Sequence, residues 1–494
     1  METELKFALS PQAREALERH VLSSTLDGDP VIETDHTTYF DTPDGALRRA
    51  GFSLRIRHRR DTEEYRQTVK SAGNGSFARQ EWEWPIRGPE LDLDRLSELK
   101  GLPQQAALCP VFRTEVRRWR VALAPSPRAK IELALDDGVI VAGNRSEPLS
   151  ELELELKEGS PRALVRLGLD LLQVVPLSLM SESKAERGYH LLNGTGPDAC
   201  KPPPVELQAG LGLPDAFGRL GQQVLDHLMV NQPATLRGDE QEGIHQMRVG
   251  IRRLRSLLVL FERHLEPHAR DRFEEELRRL GHVLGAARDW DVFLAETLPR
   301  VRDKDGNSAA LDRLSATALE CRHAAHQAAK KAVLETAFTR FVLAFWSWSL
   351  GANEALIGKA RTLALEEAAA GMLTRLERKV ERRLGDCDDS DPSSLHRLRK
   401  SAKKLRYGIE YLESLYGKDA KPYHKRCNAL QKRLGDINDL TTLVDRAASL
   451  ARERIDLAPA VGALADRSES LVQEELKGLH KRLRRFANES PFWA

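Results

Sequence analysis

The sequence predicts an α+β chain of more than one domain: an N-terminal eight-stranded antiparallel β tunnel with outer helices, then an all-α domain of two pseudo-symmetric helical bundles. Three observations predict it. Short segments in the first part alternate charged with aliphatic side chains. A proline- and glycine-rich stretch from Gly194 to Pro214 ends that patterning. Beyond it apolar residues recur at helical spacing, and a basic helical motif occurs twice. The domains are therefore expected at 1–196 and 215–494, joined by a linker at 197–214.

The chain opens on Met1-Glu2-Thr3-Glu4-Leu5-Lys6, and an extended strand puts alternate residues on one face about 6.6 Å apart. Glu2, Glu4 and Lys6 then share a face, with Leu5 and Phe7 on the other. Pro11 to Leu26 reads as an amphipathic helix. Strands follow at Thr37 to Pro43, at Gly51 to Arg57 with Arg55 and Arg57 on one face, and at Tyr65 to Lys70. Ala78 to Trp84 sets Arg79, Glu81 and Glu83 on one side. Phe112 to Val121 is read with Arg113 and Arg117 on the charged side. Lys130 to Asp136 alternates before an expected Asp137-Gly138 turn, and Glu151 to Lys157 is the most regular alternation of all. Pro161 to Leu172 reads as helix, and Ser183 to Arg187 closes the domain.

Burying these charges in a dry core costs several kcal/mol each. Exposing the opposite aliphatic faces costs ~1.5–3 kcal/mol per large side chain. A closed antiparallel barrel with a wet, charged interior satisfies both. Its acids and bases suit a metal-bound polyphosphate: carboxylates for magnesium, arginines and lysines for the remaining phosphate oxygens. His36 and His58, without a further ligand at metal spacing, read as surface histidines.

The ExExK opening, the Leu54-Arg55-Ile56-Arg57 strand, the Glu151-Leu152-Glu153-Leu154-Glu155-Leu156-Lys157 strand and Lys184-Ala185-Glu186-Arg187 together resemble the CYTH family of triphosphate tunnel metalloenzymes. The resemblance covers about residues 1–195. It implies hydrolysis or rearrangement of triphosphates with Mg²⁺ or Mn²⁺. Carried over, it makes Glu2, Glu4, Glu153 and Glu155 metal ligands, with Glu81 and Asp136 completing a second metal position. It assigns Lys6, Arg55, Arg57, Lys70, Arg79, Arg113 and Lys184 to the phosphates, and Lys6, Glu2 and Glu4 to catalysis. Three glutamates occur where that motif needs two, and the pair nearer Lys157 is taken over Glu151.

In the second part, Met247, Ile251, Leu254, Leu258 and Phe261 form a core stripe, while His245, Arg248, Arg252, Arg253 and Arg255 carry charge. His396, Arg399, Lys403, Lys404 and Arg406 repeat that charge pattern 151 residues later. Leu284-Gly285 with Arg288-Asp289 is echoed by Leu434-Gly435 with Asn438-Asp439. Neither Ile244–Phe261 nor Pro392–Ile409 contains an acid. Helices of unbalanced positive charge repel themselves, so a bound polyanion is expected. The motifs resemble the CHAD family over about residues 205–494, which implies binding of inorganic polyphosphate. Trp346 and Trp348 read as packing residues.

Composition bounds what remains. Lys and Arg number 76 against 74 Asp and Glu, so net charge names no partner. Five scattered cysteines without a CxxC pair fit reduced thiols. The N-terminus lacks an apolar leader, and the run Phe341–Leu350 is too short to span a bilayer. A cytoplasmic protein is expected, at polyphosphate granules if its partner resides there. The leading expectation is an inorganic triphosphatase that acts on triphosphate and binds polyphosphate, with no membrane or nucleic-acid partner. Class IV adenylate cyclase, thiamine triphosphatase, and a non-catalytic polyphosphate or nucleic-acid binder are the alternatives.

Overall fold

The computed structural model describes residues 2–22, 29–71, 78–103, 107–301, 308–388, 391–487 and 490–493. It divides into two compact units that interleave along the chain. The first comprises Met1–Cys200 with Leu225–Gly243 and Ala332–Leu350; the second comprises Lys201–Val224, Ile244–Lys331 and Gly351–Ala494.

Ten strands build the first unit: β1 Glu2–Ala8, β2 Val31–Asp41, β3 Phe52–Arg59, β4 Glu64–Ser71, β5 Ala78–Arg79, β6 Glu81–Ile86, β7 Cys109–Ser126, β8 Ala129–Ala142, β9 Arg145–Glu158 and β10 Ser178–Met180. All pairings are antiparallel, in the order β10-β1-β9-β8-β7-β2-β3-β4-β6, with β5 paired to β1 off this path. The eight-stranded closed ring expected from the sequence is thus ten strands whose nine-strand path stays open. Among the described residues its gap is bridged where two-residue β5, one residue ahead of edge strand β6, pairs with Glu2 and Thr3.

Alternation decides which face is dry. Leu5, Phe7, Leu152, Leu154, Leu133 and Leu135 are each fully buried on the outer face. Helix Pro161–Val174 covers that face, where a Cβ on Gly168 would lie 3.3 Å from Leu5 and 3.2 Å from Leu343. Leu343 belongs to helix Thr336–Leu350, so a late segment of the chain completes this layer. Trp346 is buried in that helix and Trp348 packs edge-on to Phe345, the packing role expected of both. The expected Asp137-Gly138 turn is instead the middle of β8. Gly138 is there because β7 passes close: a Cβ would meet the Glu115 carbonyl oxygen at 2.0 Å.

At one end of the sheet Tyr39, Phe112, Val116, Ile140, Leu149 and Tyr189 form an apolar plug. Tyr189 lies on helix Lys184–Asn193, which starts at a Ser183–Glu186 capping box and stops at left-handed Gly194. The capping box fixes the first turn of this helix and with it Lys184.

In the second unit each repeat supplies three helices in the same order. The first repeat uses Glu240–Leu260 from residue 244 on, Pro267–Val292, and Ser308–Leu334 through residue 331. The second uses Pro392–Leu412, Ala420–Glu453 and Ala458–Ala487. Leu311, Leu314 and Ala318 of the first pack with Leu440, Leu443, Leu457 and Leu464 of the second. Among the described residues no helix is long and apolar enough to cross a membrane.

Candidate active site and basic helix pair

The inner face of the sheet brings acids and bases into transverse rows. Glu4 pairs in register with Glu155 and Lys6 with Glu153 across β1 and β9. Glu155 pairs in turn with Glu132, Glu151 with Asp136, and Asp136 with Arg118 across β8 and β7. All of these but Glu151, together with Arg55, Arg57, Lys70, Glu81, Lys157 and Lys184, line a cavity of about 160 Å³. Among the described residues nine carboxylates (Glu2, Glu4, Asp35, Glu81, Glu83, Glu132, Asp136, Glu153 and Glu155) and seven cationic groups line it.

The charges are not spread evenly. On the floor, the Lys184 ammonium lies 2.8 Å from Asp136 and 2.9 Å from Glu153 and also bonds Glu151. Arg118 adds contacts of 2.6 Å to Asp136 and 2.7 Å to Glu153. Burial opposes the charged form of both carboxylates, but Arg118 and Lys184 hold Asp136 below the usual range, and Lys184, Lys6 and Arg118 hold Glu153 well below it. Burial raises Glu151, which keeps its contact with Lys184. Oxygens of Asp136, Glu151 and Glu153 gather within 4.8 Å, a metal-like cluster in which Lys184 touches all three carboxylates and Arg118 two of them.

Nearer β5 and β6 the balance reverses. Burial, Glu4 and Glu81 raise Glu2 despite its 2.6 Å contact with Lys70. Burial, Glu2 and Glu132 raise Glu155 despite 2.7 Å to Lys157. Glu4 itself is held down to about 2, because Lys6 and Lys70 outweigh burial. Glu2 and Glu155, under-compensated oxygen donors beside charged Glu4, fit a hard divalent cation. On β3 the excess is positive. Arg57 is lowered by burial and by Arg55 and Arg118, and its partner Asp35 is 3.7 Å away. Half-buried Arg55 is held in its charged form against burial by Tyr39 and by Glu81 at 3.7 Å, and among the described residues its Nε has no hydrogen-bond partner. The cavity therefore has a cation-seeking wall at β1 and β9 and an anion-seeking wall at β3.

Of the residues expected here, Glu2, Glu4, Lys6, Arg55, Arg57, Lys70, Glu81, Asp136, Glu153, Glu155 and Lys184 converge on the cavity. Arg113 does not. Its side chain is 57% exposed on the outer face and pairs with Glu115 at 3.0 Å. The strand carries charges of both parities, and the phase chosen from the sequence was the outer one; Arg118 is the arginine β7 turns inward. Arg79 pairs with Glu2 through its backbone, while its side chain lies outside the described residues. Lys157, Asp35 and Arg118 were missed; the partner of Arg118 on the neighbouring strand, Asp136, is the signal for it.

In the second unit the helices Glu240–Leu260 and Pro392–Leu412 bring four cations into mutual range. The Lys403 ammonium is pushed well down by burial and by Arg399, Arg252 and Arg248. Arg248 and Arg399 are likewise lowered by burial and by Arg252. Counter-ions do exist, contrary to the local sequence, because they come from other helices. Asp289 meets Arg248 at 3.0 Å and Arg446 at 2.6 Å, and Asp439 meets Arg399 at 3.8 Å. Glu274 takes Arg255 at 2.7 Å. For Arg252 and Lys403 no ion pair is found among the described residues. His396 bonds Asn438 at 2.8 Å, Arg406 bonds Glu410 and Gln431, and Lys404 is half-buried. Arg253 belongs to the core instead: it is 1% exposed, pairs with Glu410 at 2.6 Å and lies over the Tyr411 ring. His245 lies on the same helix.

A charged antiparallel tunnel followed by a duplicated basic helical unit defines the class. Residues 1–189 match the CYTH domain and residues 219–448 match the CHAD domain, so the chain carries one of each. An inorganic triphosphatase of Haemophilus influenzae is 33% identical over 208 residues, which are 38% of this chain and 54% of that protein. The match thus spans about half the length of that relative. An uncharacterized protein of Mycobacterium tuberculosis is 26% identical over 77% of this chain and 76% of its own. The CHAD domain of the plant Ricinus communis superposes with a TM-score of 0.52 at 30% identity, covering 58% of this chain and 97% of that structure.

Proposed function

We propose that the tunnel hydrolyses inorganic triphosphate to diphosphate and phosphate with Mg²⁺ or Mn²⁺, and that the helical unit binds inorganic polyphosphate. One observation carries the first part: the division of the cavity into an acid-excess wall and a base-excess wall. A free anion suits only the second, and a free cation only the first; a triphosphate–metal complex suits both. Glu2, Glu4 and Glu155 would hold the cation, with Glu81 beside Glu2 and with Glu153 and Asp136 already drawn to Arg118 and Lys184. Bound there, it would neutralise phosphate charge and polarise the phosphoanhydride bond. Arg55 and Arg57 offer forked donors to the phosphoryl oxygens, while Lys6 and Lys70 add charge where negative charge grows as the bond breaks. Their positions are fixed in advance by strand pairing, so little reorganisation is required.

Among the described lining residues Tyr39 is the one aromatic, which supports a substrate without a base or a thiazole ring. The test is phosphate release from triphosphate, ATP and thiamine triphosphate with either metal, beside cyclic AMP formation. Turnover restricted to triphosphate supports the reading; cyclic AMP as the main product overturns it. For the helical unit, the four mutually repelling cations support a linear polyanion, and Arg253 is left out of that surface.

A further inference from the structure

The segment Leu179–Glu182, which begins in β10, takes several contacts from residues outside the tunnel strands. The Thr339 hydroxyl accepts from the Leu179 N–H at 2.9 Å, and the Gln232 amide donates to the Leu179 carbonyl at 2.8 Å. The Ser181 hydroxyl donates to the Met229 carbonyl at 2.9 Å. Arg237 then pairs with Glu182 and reaches Glu147 at 3.1 Å. All these residues lie in the first unit, yet 229–237 and 339 fall within the CHAD match.

The held segment adjoins cavity-lining residues at both ends. Met180 is the register partner of Lys6. Two residues past Glu182 comes Lys184, the ammonium on Asp136, Glu151 and Glu153. Glu147 also takes Arg187 at 2.7 Å, and Arg187 reaches Glu151 at 3.4 Å. Glu182 is 7% exposed, so removing its cation leaves a buried carboxylate next to the turn that sets Lys184.

We propose that Arg237 and Thr339 are positioning residues for the tunnel, clamping residues 179–182 so that Lys6 faces triphosphate and Lys184 stays on Asp136 and Glu153. This rests on the triphosphatase reading above. Neither residue touches the cavity; each acts through the segment it holds.

The experiment uses the full chain and measures KM and kcat for triphosphate in wild type, Arg237→Ala, Arg237→Lys and Thr339→Val, with thermal melting of each. A loosened clamp weakens the grip on phosphate, so KM should rise roughly tenfold in Arg237→Ala and Thr339→Val, the effect typical of lost outer partners, with kcat within about twofold. Arg237→Lys, which keeps the charge, should recover most of the affinity. A purely structural role would lower the folded fraction and hence apparent kcat at unchanged KM; that pattern in either folded variant overturns the proposal. Failure of the wild type to hydrolyse triphosphate would instead sink the functional reading itself.

Discussion

Glu4 shows how much one carboxylate can carry. Its pKa of about 2, against an ordinary 4.5, is worth about 3 kcal/mol of folding stability. The sign follows from the direction: a depressed acid stabilises fully above its unfolded value and loses that contribution as pH falls through about 2. Glu4→Gln should therefore melt below wild type at pH 7, with the gap narrowing towards pH 3. The same substitution should cut metal-dependent turnover roughly a hundredfold or more, as removal of one preorganised electrostatic partner does. Wild-type turnover at saturating metal would refute the ligand role. Arg118 is the second test at this scale. Arg118→Met leaves fully buried Asp136 with Lys184 alone, and loss of such a partner costs about 3–5 kcal/mol. A melting curve unchanged from wild type would show that Lys184 alone suffices.

Elements were legible where one face is charged without exception. β1, β3 and β9 follow strict alternation, so Glu2, Lys6, Arg55, Arg57 and Glu155 could be placed from spacing. β7 could not, because charged residues at 113, 115, 117, 118 and 120 occupy both parities. Only pairing with β8 selects Arg118. Gly138 misled for a related reason: Asp-Gly marks turns locally, but here the glycine answers a neighbour 23 positions away in sequence, Glu115. His36 and His58, read separately from the sequence, turn out to be register partners across β2 and β3, with His58 stacked on Tyr65 at 4.3 Å. In the helical unit the acid-free motifs were legible, and their counter-ions were not, since Asp289, Asp439 and Glu274 arrive from other helices. The helix pair makes a pH prediction. Lys403 sits below its ordinary value of 10.5 through burial and its cationic neighbours. A bound polyanion reverses that field, so binding should take up a proton at pH values between the depressed and ordinary pKa. Calorimetry of the full chain with polyphosphate in buffers of different ionisation enthalpy measures it. Lys403→Met should abolish the uptake, and an unchanged proton count would place the polyanion elsewhere.

At the scale of the whole molecule, electrostatic association makes salt the probe. Affinity for long-chain polyphosphate should fall linearly on a log–log plot against salt, as counter-ion release requires in general. Replacing Arg252 with Glu should flatten the slope, while Arg253→Met should leave it unchanged and lower the melting temperature. Duplex DNA binding as tightly at matched ionic strength would favour a nucleic-acid partner. A chain cut after Gly196 keeps every proposed catalytic residue but loses Gln232, Thr339 and Leu343. It should melt lower than the full chain and bind triphosphate less well. Equal melting and equal KM would mean that the tunnel strands need none of them.

The interleaving of the two units has a consequence for biosynthesis. A ribosome that has released the first 200 residues has delivered all ten strands, but the covering helix Thr336–Leu350 is still to be translated. Domains of many long chains mature in order from the N-terminus. Here the nascent tunnel, covered on its outer face by helix Pro161–Val174, must wait through a further 150 residues of elongation for Leu343 to complete that layer. Chaperone demand should therefore peak in that interval and fall once residue 350 has emerged.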